Sequence, residues 1–310
     1  MVDVNVSDVD EWHHIDEHGR GAEASYEELS EWERVMHGGP WMSLPSLRRY
    51  WFLAQRWGIV CLVAEMEGRV VGHLDVLRTK EKELGPYLCL DVFMVHRSFR
   101  RRGVGSDLLR AAERLAIERG LPKMIVLADY EGPGGLTYRK FGFEPFLEMC
   151  TLETEVRDAS IPPGVRLMNP PNEPPLDSHH VLSGWFTEPS KLWKSSFDRW
   201  DDQLGPFEWH TFILSALTDS GTAHFLLTSC TPCNPKRHNL DVCIWTPPSL
   251  NEVNLNKAVQ TMRTIAGALG AEVLTTLAFE KDRRMLEAVG FSWVKRHDPL
   301  LAKDTIAKSC

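Results

Sequence analysis

The stretch Val95-His96-Arg97-Ser98-Phe99-Arg100-Arg101-Arg102-Gly103-Val104-Gly105-Ser106 carries the most information about the fold. An apolar run, Tyr87–Val95, precedes it and predicts a strand. An amphipathic helix follows, with Val104, Leu108, Ala111 and Leu115 on one stripe. Gly103 and Gly105 lack a Cβ, so the backbone can turn tightly and bring its N–H groups close to an anion. The helix start aims its positive dipole end and unpaired N–H groups at the same place. Arg100, Arg101 and Arg102 add charge, and arginine can grip phosphate with two donors at once. Strand, glycine loop and helix together can hold a pyrophosphate. Composition alone leaves open an ordinary solvated basic turn, since short glycine patterns are common.

The flanking sequence places this stretch in a mixed α/β domain. Upstream, Tyr26–His37 and Leu47–Arg56 have helical patterns separated by Gly38-Gly39-Pro40, and Ile59–Met66 and Arg69–Leu77 form a hairpin across Glu67-Gly68. Downstream, the helix stops at Gly120 with Pro122 just beyond. A strand over Lys123–Asp129, a short helix over Leu136–Phe141 closed by Gly142, and a strand over Phe146–Val156 complete the unit. Prolines crowd residues 162–175, and then the pattern returns. Trp209–Ala216 and Thr222–Ser229 form a hairpin, Asn239–Trp245 a strand, Asn256–Leu269 a helix and Glu272–Leu277 a strand. Arg283–Val289 is then a short helix ending in Gly290-Phe291. One fold used twice is the simplest account, with domains over 1–158 and 159–310.

Composition agrees with that division. A chain of 310 residues, 43% hydrophobic and 25% charged, suits two packed domains better than one or than disorder. The net charge of -8 argues against wrapping a nucleic-acid backbone. The first residues lack a basic, apolar leader, and runs such as Ile59–Ala64 are too short to cross a bilayer, which needs about 20 residues. Seven cysteines fit reduced thiols, so the cytoplasm is the expected compartment and no membrane or nucleic-acid partner is expected.

Two motifs then carry a family resemblance. Arg100-x-x-Gly103-x-Gly105 after an apolar strand, followed by Leu136-Thr137-Tyr138-Arg139-Lys140-Phe141-Gly142-Phe143, resembles the GNAT acetyltransferase superfamily over roughly residues 25–156. The resemblance implies two GNAT-like domains, each a mixed, mostly antiparallel sheet flanked by helices. It implies transfer of an acetyl group from acetyl-CoA to a primary amine of a small molecule or peptide by direct attack. The pantetheine arm would pair with Phe93, Met94 and Val95, and the pyrophosphate would lie on Arg100, Arg101, Arg102, Gly103, Val104, Gly105 and Ser106. A backbone N–H near Met94–Val95 would stabilise the oxyanion, and Tyr138 would protonate the departing thiolate. The family often has Asn-x-x-Ala before that tyrosine, where this chain has Glu131-Gly132-Pro133-Gly134.

The amine must lose a proton before it attacks. Asp91 has the strand parity of Phe93 and Val95 and is charged in an otherwise apolar run, so it is the candidate base, or else it caps or pairs with an arginine structurally. His73 and Glu65 are lesser candidates. Trp32, Trp41 and Trp51 are placed to line the acceptor's approach or to pack a core. In the second copy, Val253-Asn254-Leu255 replaces the glycine loop and Leu286 replaces Tyr138. Pro247-Pro248 removes strand N–H groups, so that copy is expected to be catalytically inert and to wall the acceptor site, in a pseudo-dimeric monomer or a homodimer. Cys230, Cys233, His238 and Cys243 have zinc-knuckle spacing, but Cys243 falls in a strand, so buried thiols without metal are expected. A non-catalytic acyl-CoA-binding protein and an aminoacyl transferase with paired GNAT folds are the alternative functions.

Overall fold

A computed structural model describes residues 1–7, 13–15, 21–23, 26–31, 33–34, 40–82, 84–156, 160–184, 189–198, 211–228 and 239–305. The first half opens with α1 (Val2–Val6), a small ribbon of β1 (His13–Ile15) and β2 (Gly21–Glu23), and α2 (Leu44–Trp57). Next come β3 (Ile59–Met66), β4 (Arg69–Glu81), β5 (Gly85–Val95), α3 (Val104–Glu118), β6 (Lys123–Leu127), α4 (Pro133–Lys140) and β7 (Glu144–Glu155). The second half adds β8 (Arg166–Met168), β9 (His180–Ser183) and α5 (Pro189–Asp198). It continues with β10 (Thr211–Thr218), β11 (Gly221–Thr228), β12 (Asn239–Thr246), α6 (Glu252–Ala268), β13 (Val273–Phe279), α7 (Arg283–Ala288) and β14 (Ser292–Asp304).

The series β3–β4–β5–α3–β6–α4–β7 is matched step for step by β10–β11–β12–α6–β13–α7–β14. Each series has one parallel pair, β5 with β6 and β12 with β13, within otherwise antiparallel strands. The α/β class and the mixed, mostly antiparallel sheet are as the sequence predicts. Several elements run longer than their apolar patterns. β4 extends to Glu81 and α4 begins at Pro133, because cross-strand pairing and a proline at the first helical turn extend what propensity alone sets. Of the helix expected over Tyr26–His37, residues 26–29 instead form turns and a bend and residues 31, 33 and 34 are helical, while 32 and 35–37 lie outside the described residues. Strand β8 lies within the proline-dense segment expected to be only a linker, and β9 follows just beyond it.

All strands after the ribbon join one 12-stranded sheet. Its order is β3-β4-β5-β6-β14-β7-β13-β12-β11-β10-β8, with β9 also on β12. Each half therefore lends its final strand to the other. β14 pairs with β6 through Leu300, Leu301 and Ala302, while β7 pairs with β13 from Met149 to Glu155. β14 and β7 also pair with each other at the centre. Sidedness follows from what each exchanged strand buries. Leu301 packs with Leu109, Val126 and Tyr138 on the α3 side, whereas Leu300 joins Tyr50, Trp57, Trp193 and Trp245 on the opposite side. That second cluster draws on both halves, so sheet and core run across the boundary expected near residue 158.

Candidate active site

Strands β5 and β6 pair only at Leu88, Cys89 and Leu90. Beyond Leu90 they part, and among the described residues no strand pairs with that edge of β5 from Asp91 to Val95. Phe93, Met94 and Val95 thus present backbone groups to a cleft bordered by α3 and α4. At its mouth, Arg97–Phe99 makes a single 3-10 turn, Arg101 takes a left-handed φ of 64° and Gly103 one of 89°. Gly103 is the N-cap of α3 and offers no side chain, so the first N–H groups of this helix have no side-chain cap. A Cβ on Gly105 would sit 3.1 Å from the Phe93 ring, so glycine is what lets the strand and the helix start approach closely. Arg101 is exposed, Arg102 stacks on Phe99 at 5.2 Å, and Arg100 Nε donates to the Val95 carbonyl at 3.1 Å. Arg100 is thereby held at the end of β5, beside the loop.

Tyr138 projects from α4 onto Phe93, with ring centroids 5.6 Å apart, and onto Phe143 at 5.3 Å. Burial pushes its phenol well above the ordinary value, and the charge of Asp91 adds to the effect, so the group stays protonated. The chain's departure before this helix has a local solution. Asp129 Oδ1 accepts from the Gly132 N–H at 3.1 Å, and a Cβ on Gly135 would collide with the Asp129 carbonyl. Helix α4 is therefore anchored by Asp129 and glycine.

Asp91 is placed differently from the parity argument. The β4–β5 register slips between Leu74/Phe93 and Val76/Leu90, a bulge that puts one extra residue, within Asp91–Val92, into β5. Phe93 and Val95 face α3, while Val92 packs on the opposite side with Tyr50 and Trp193. Asp91 accepts from Lys191 Nζ of α5 at 2.6 Å, and both side chains are largely buried. An ion pair does form, but with a lysine from the second half; strand parity could not register a bulge, nor local sequence a partner 100 residues away. Lys191 also lies 5.9 Å from the centre of the Tyr50 ring, and Tyr50 Oη donates to Asp75 Oδ2 at 3.5 Å. Asp75, opposite the bulge on β4, is fully buried, and burial raises its pKa to about 6. His73 is also fully buried and binds Asn5 of α1 at 3.1 Å; burial lowers its pKa to about 4, so it is a neutral core group. Glu65 is exposed near the hairpin end, outside this cluster. Trp41 packs edge-on against Tyr50 and Trp51 lies beside it, whereas Trp32 is outside the described residues.

The family model described as "Acetyltransferase (GNAT) family" matches residues 26–143. This chain carries a GNAT-family domain. Solved structures agree at the level of fold. A GCN5-related N-acetyltransferase from Anabaena variabilis superposes with a TM-score of 0.55 at 16% identity, covering 86% of this chain and 67% of that one. A probable N-acyltransferase from Enterococcus faecalis gives 0.53 at 10% identity, with 91% and 71% covered. A GCN5-related N-acetyltransferase from Kribbella flavida gives 0.51 at 12%, with 90% and 69% covered. No curated protein sequence matches the chain. Among the described residues no helix is long and apolar enough to cross a membrane.

The second half repeats the GNAT topology but not its cleft. β12 and β13 pair in parallel at Asn239, Leu240 and Asp241 and then part, as β5 and β6 do. Here β9 fills the gap: Ser183, Val181 and His180 pair with Ile244, Trp245 and Thr246, and the Gly184 N–H donates to Leu277 of β13. At the start of α6, Asn251 caps the helix by accepting from the Asn254 N–H at 3.0 Å, and Asn254 in turn donates to Ser220 at 2.8 Å. Leu286, in the place of Tyr138, is fully buried. Sequence comparison found the missing glycines and tyrosine but not β9, which comes from outside the repeated unit. Cys243 is buried in β12, while Cys230, Cys233 and His238 lie outside the described residues.

Proposed function

We propose that the chain is an N-acetyltransferase in which the GNAT domain of the first half moves an acetyl group from acetyl-CoA to a primary amine. The observation that carries this reading is the contrast between the two clefts. Among the described residues, β5 leaves its edge unpaired beyond Leu90, beside a helix start without a side-chain cap, whereas the same edge of β12 is occupied by β9 and its helix is capped by Asn251. On this reading Phe93, Met94 and Val95 pair with the pantetheine amides. The α3 start from Gly103 to Ser106, with Arg100, Arg101 and Arg102, holds the pyrophosphate. A β5 N–H near Met94–Val95 stabilises the oxyanion of the tetrahedral intermediate. Tyr138, protonated at neutral pH, hands its proton to the departing thiolate.

Asp91 is on the face of β5 away from α3, where an acceptor amine would reach the thioester between the parted strands. There it takes the amine's proton, directly or through water, with Lys191 fixing its orientation. The second half, residues 159–310, supplies structure: α5 delivers Lys191 to the acceptor side, and β14 completes the sheet beside β6. The test is thiol release from acetyl-CoA across a panel of small amines and peptides. Tyr138→Phe should lower kcat by about 10²–10⁴ with the KM for acetyl-CoA nearly unchanged, the size expected for losing a general acid. Unchanged turnover in that variant would refute the mechanism. Tight acetyl-CoA binding with no turnover on any amine would point to a non-catalytic acyl-CoA-binding protein.

A further inference from the structure

Under α1, on the side of the sheet away from α3, three potential metal ligands converge. The ligand atoms of Cys61 on β3 and of His73 and Asp75 on β4 all lie within 4.8 Å of one another. Cys61 and Asp75 are register partners across the hairpin, and His73 and Asp75 are two apart on one strand, so all three share a face. A point therefore exists within about 2.8 Å of all three atoms, against roughly 2.0–2.3 Å for zinc bonds to nitrogen, oxygen and sulfur. Side-chain rotations of under 1 Å, about that difference, close the gap.

Proximity on adjacent strands is ordinary; unsatisfied lone pairs there are not. His73 Nε2 is engaged by Asn5 Oδ1, an atom that only accepts, so this ring nitrogen carries the proton and Nδ1 keeps a bare lone pair. Nδ1 is buried and has no hydrogen-bond partner, and the same holds for Asp75 Oδ1. Cys61 and Trp41 lie close enough to Asp75 to favour its ionised form, yet neither donates to Oδ1 in hydrogen-bonding geometry. Two fully buried residues thus direct acceptor atoms that make no hydrogen bond into a space shared with a thiol, beside the unpaired Trp41 Nε1 donor and near the Met1 ammonium. Buried polar atoms are rarely left so, because each orphan gives up its hydrogen bonds to water without replacement. A cation would satisfy both acceptors. A neutral imidazole, a carboxylate and a sulfur make a borderline-soft donor set suited to zinc, and Met1 Sδ, 3.9 Å from Cys61 Sγ, is near enough to share the site.

We infer that Cys61, His73 and Asp75 form a binding site for a zinc-class divalent cation, independent of whether the chain transfers acetyl groups. Binding breaks the Cys61 S–H bond, forms a metal–thiolate bond and releases the proton to solvent; nothing is oxidised or reduced. The test uses the full-length protein stripped with a chelator and titrated with cobalt(II). One equivalent should bind with a thiolate-to-cobalt charge-transfer band that is lost in Cys61→Ser and His73→Gln and kept in Cys233→Ser. No band in the wild-type protein overturns the proposal. So does a band that survives Cys61→Ser and disappears in Cys233→Ser, which would place the ion among Cys230, Cys233, His238 and Cys243. Should the Cys61 variant not fold, X-ray absorption of the wild-type cobalt form separates the two sites. One thiolate sulfur with nitrogen and oxygen neighbours supports this cluster, and three thiolates refute it.

Discussion

Leu301→Ala tests whether the two halves form one cooperative unit. Leu301 belongs by sequence to the last strand of the second half, yet it is fully buried among Leu109, Val126 and Tyr138 of the GNAT domain. It faces Val126 of β6 across one edge of β14 and Pro145 of β7 across the other. Truncation removes its buried methyl and methylene groups from a site fixed on both edges by strand pairing, so little collapse is available. The expected cost is about 2–5 kcal/mol. With an unfolding entropy of about 2.1 cal/mol/K per residue over a chain of this length, Tm should fall by roughly 3–8 °C. The assay is thermal and urea unfolding followed by tryptophan fluorescence and far-UV circular dichroism, combined with amide hydrogen exchange. Both probes should report one transition, and amides of β6 and α3 should lose protection although the substitution lies far along the chain. Two separated transitions, with exchange rising only in β13, β14 and α7, would refute a cooperative unit bridged by exchanged strands.

Three further expectations follow from single residues. Gly184→Ala places a Cβ 2.4 Å from Cys243 Sγ at a φ of 115°, so it should cost about 2–4 kcal/mol. Gly120→Ala, at a φ of 65° with nothing within 4 Å, should cost only about 1 kcal/mol, and paired urea melts measure the difference. His224 is buried against Trp193, bonded to Ser215 at 2.7 Å, and burial lowers its pKa to about 4. Its folded pKa lies below its unfolded value near 6.5, so its contribution is complete above pH 6.5 and is lost as pH falls toward 4. About 2 kcal/mol should disappear between pH 7.5 and 5 on that account, and His224→Gln should flatten that part of the urea-derived stability profile. Lys191→Met leaves Asp91 without its ion-pair partner, so KM for the amine should change by severalfold while KM for acetyl-CoA stays fixed; equal changes in both would count against placing Asp91 on the acceptor side.

The sequence made legible whatever depends on local chemistry. The Arg100–Gly105 loop, the helix after it, Tyr138 with its closing Gly142-Phe143 and the repeat in the second half all follow from glycine positions and periodicity. Four features did not follow, for a common reason. The bulge within Asp91–Val92 depends on a register slip against β4 that no single strand encodes. Lys191 reaches Asp91 from another helix, and nothing in the polar pattern of α5 singles it out from Lys194. β9 and the exchange of β7 with β14 depend on pairing between distant segments, which residue patterns constrain only weakly. The buried Cys61–His73–Asp75 group was hidden because the three spacings are those of any half-polar hairpin. Only the pairing of Cys61 with Asp75 brings them together.

The exchanged strands also set a schedule for the nascent chain. Strand β6 is synthesised roughly 165 residues before the start of β14, its partner on one edge. At 5–20 residues per second that is an interval on the order of 10–30 s. Throughout it Met124, Ile125 and Val126 form an apolar strand with one bare edge, and the face around Tyr138 lacks Leu301. The Arg100–Gly105 loop can be complete in sequence long before the core beneath it closes. The first half's sheet and core therefore close only when β14, near the far end of the second half, has been made.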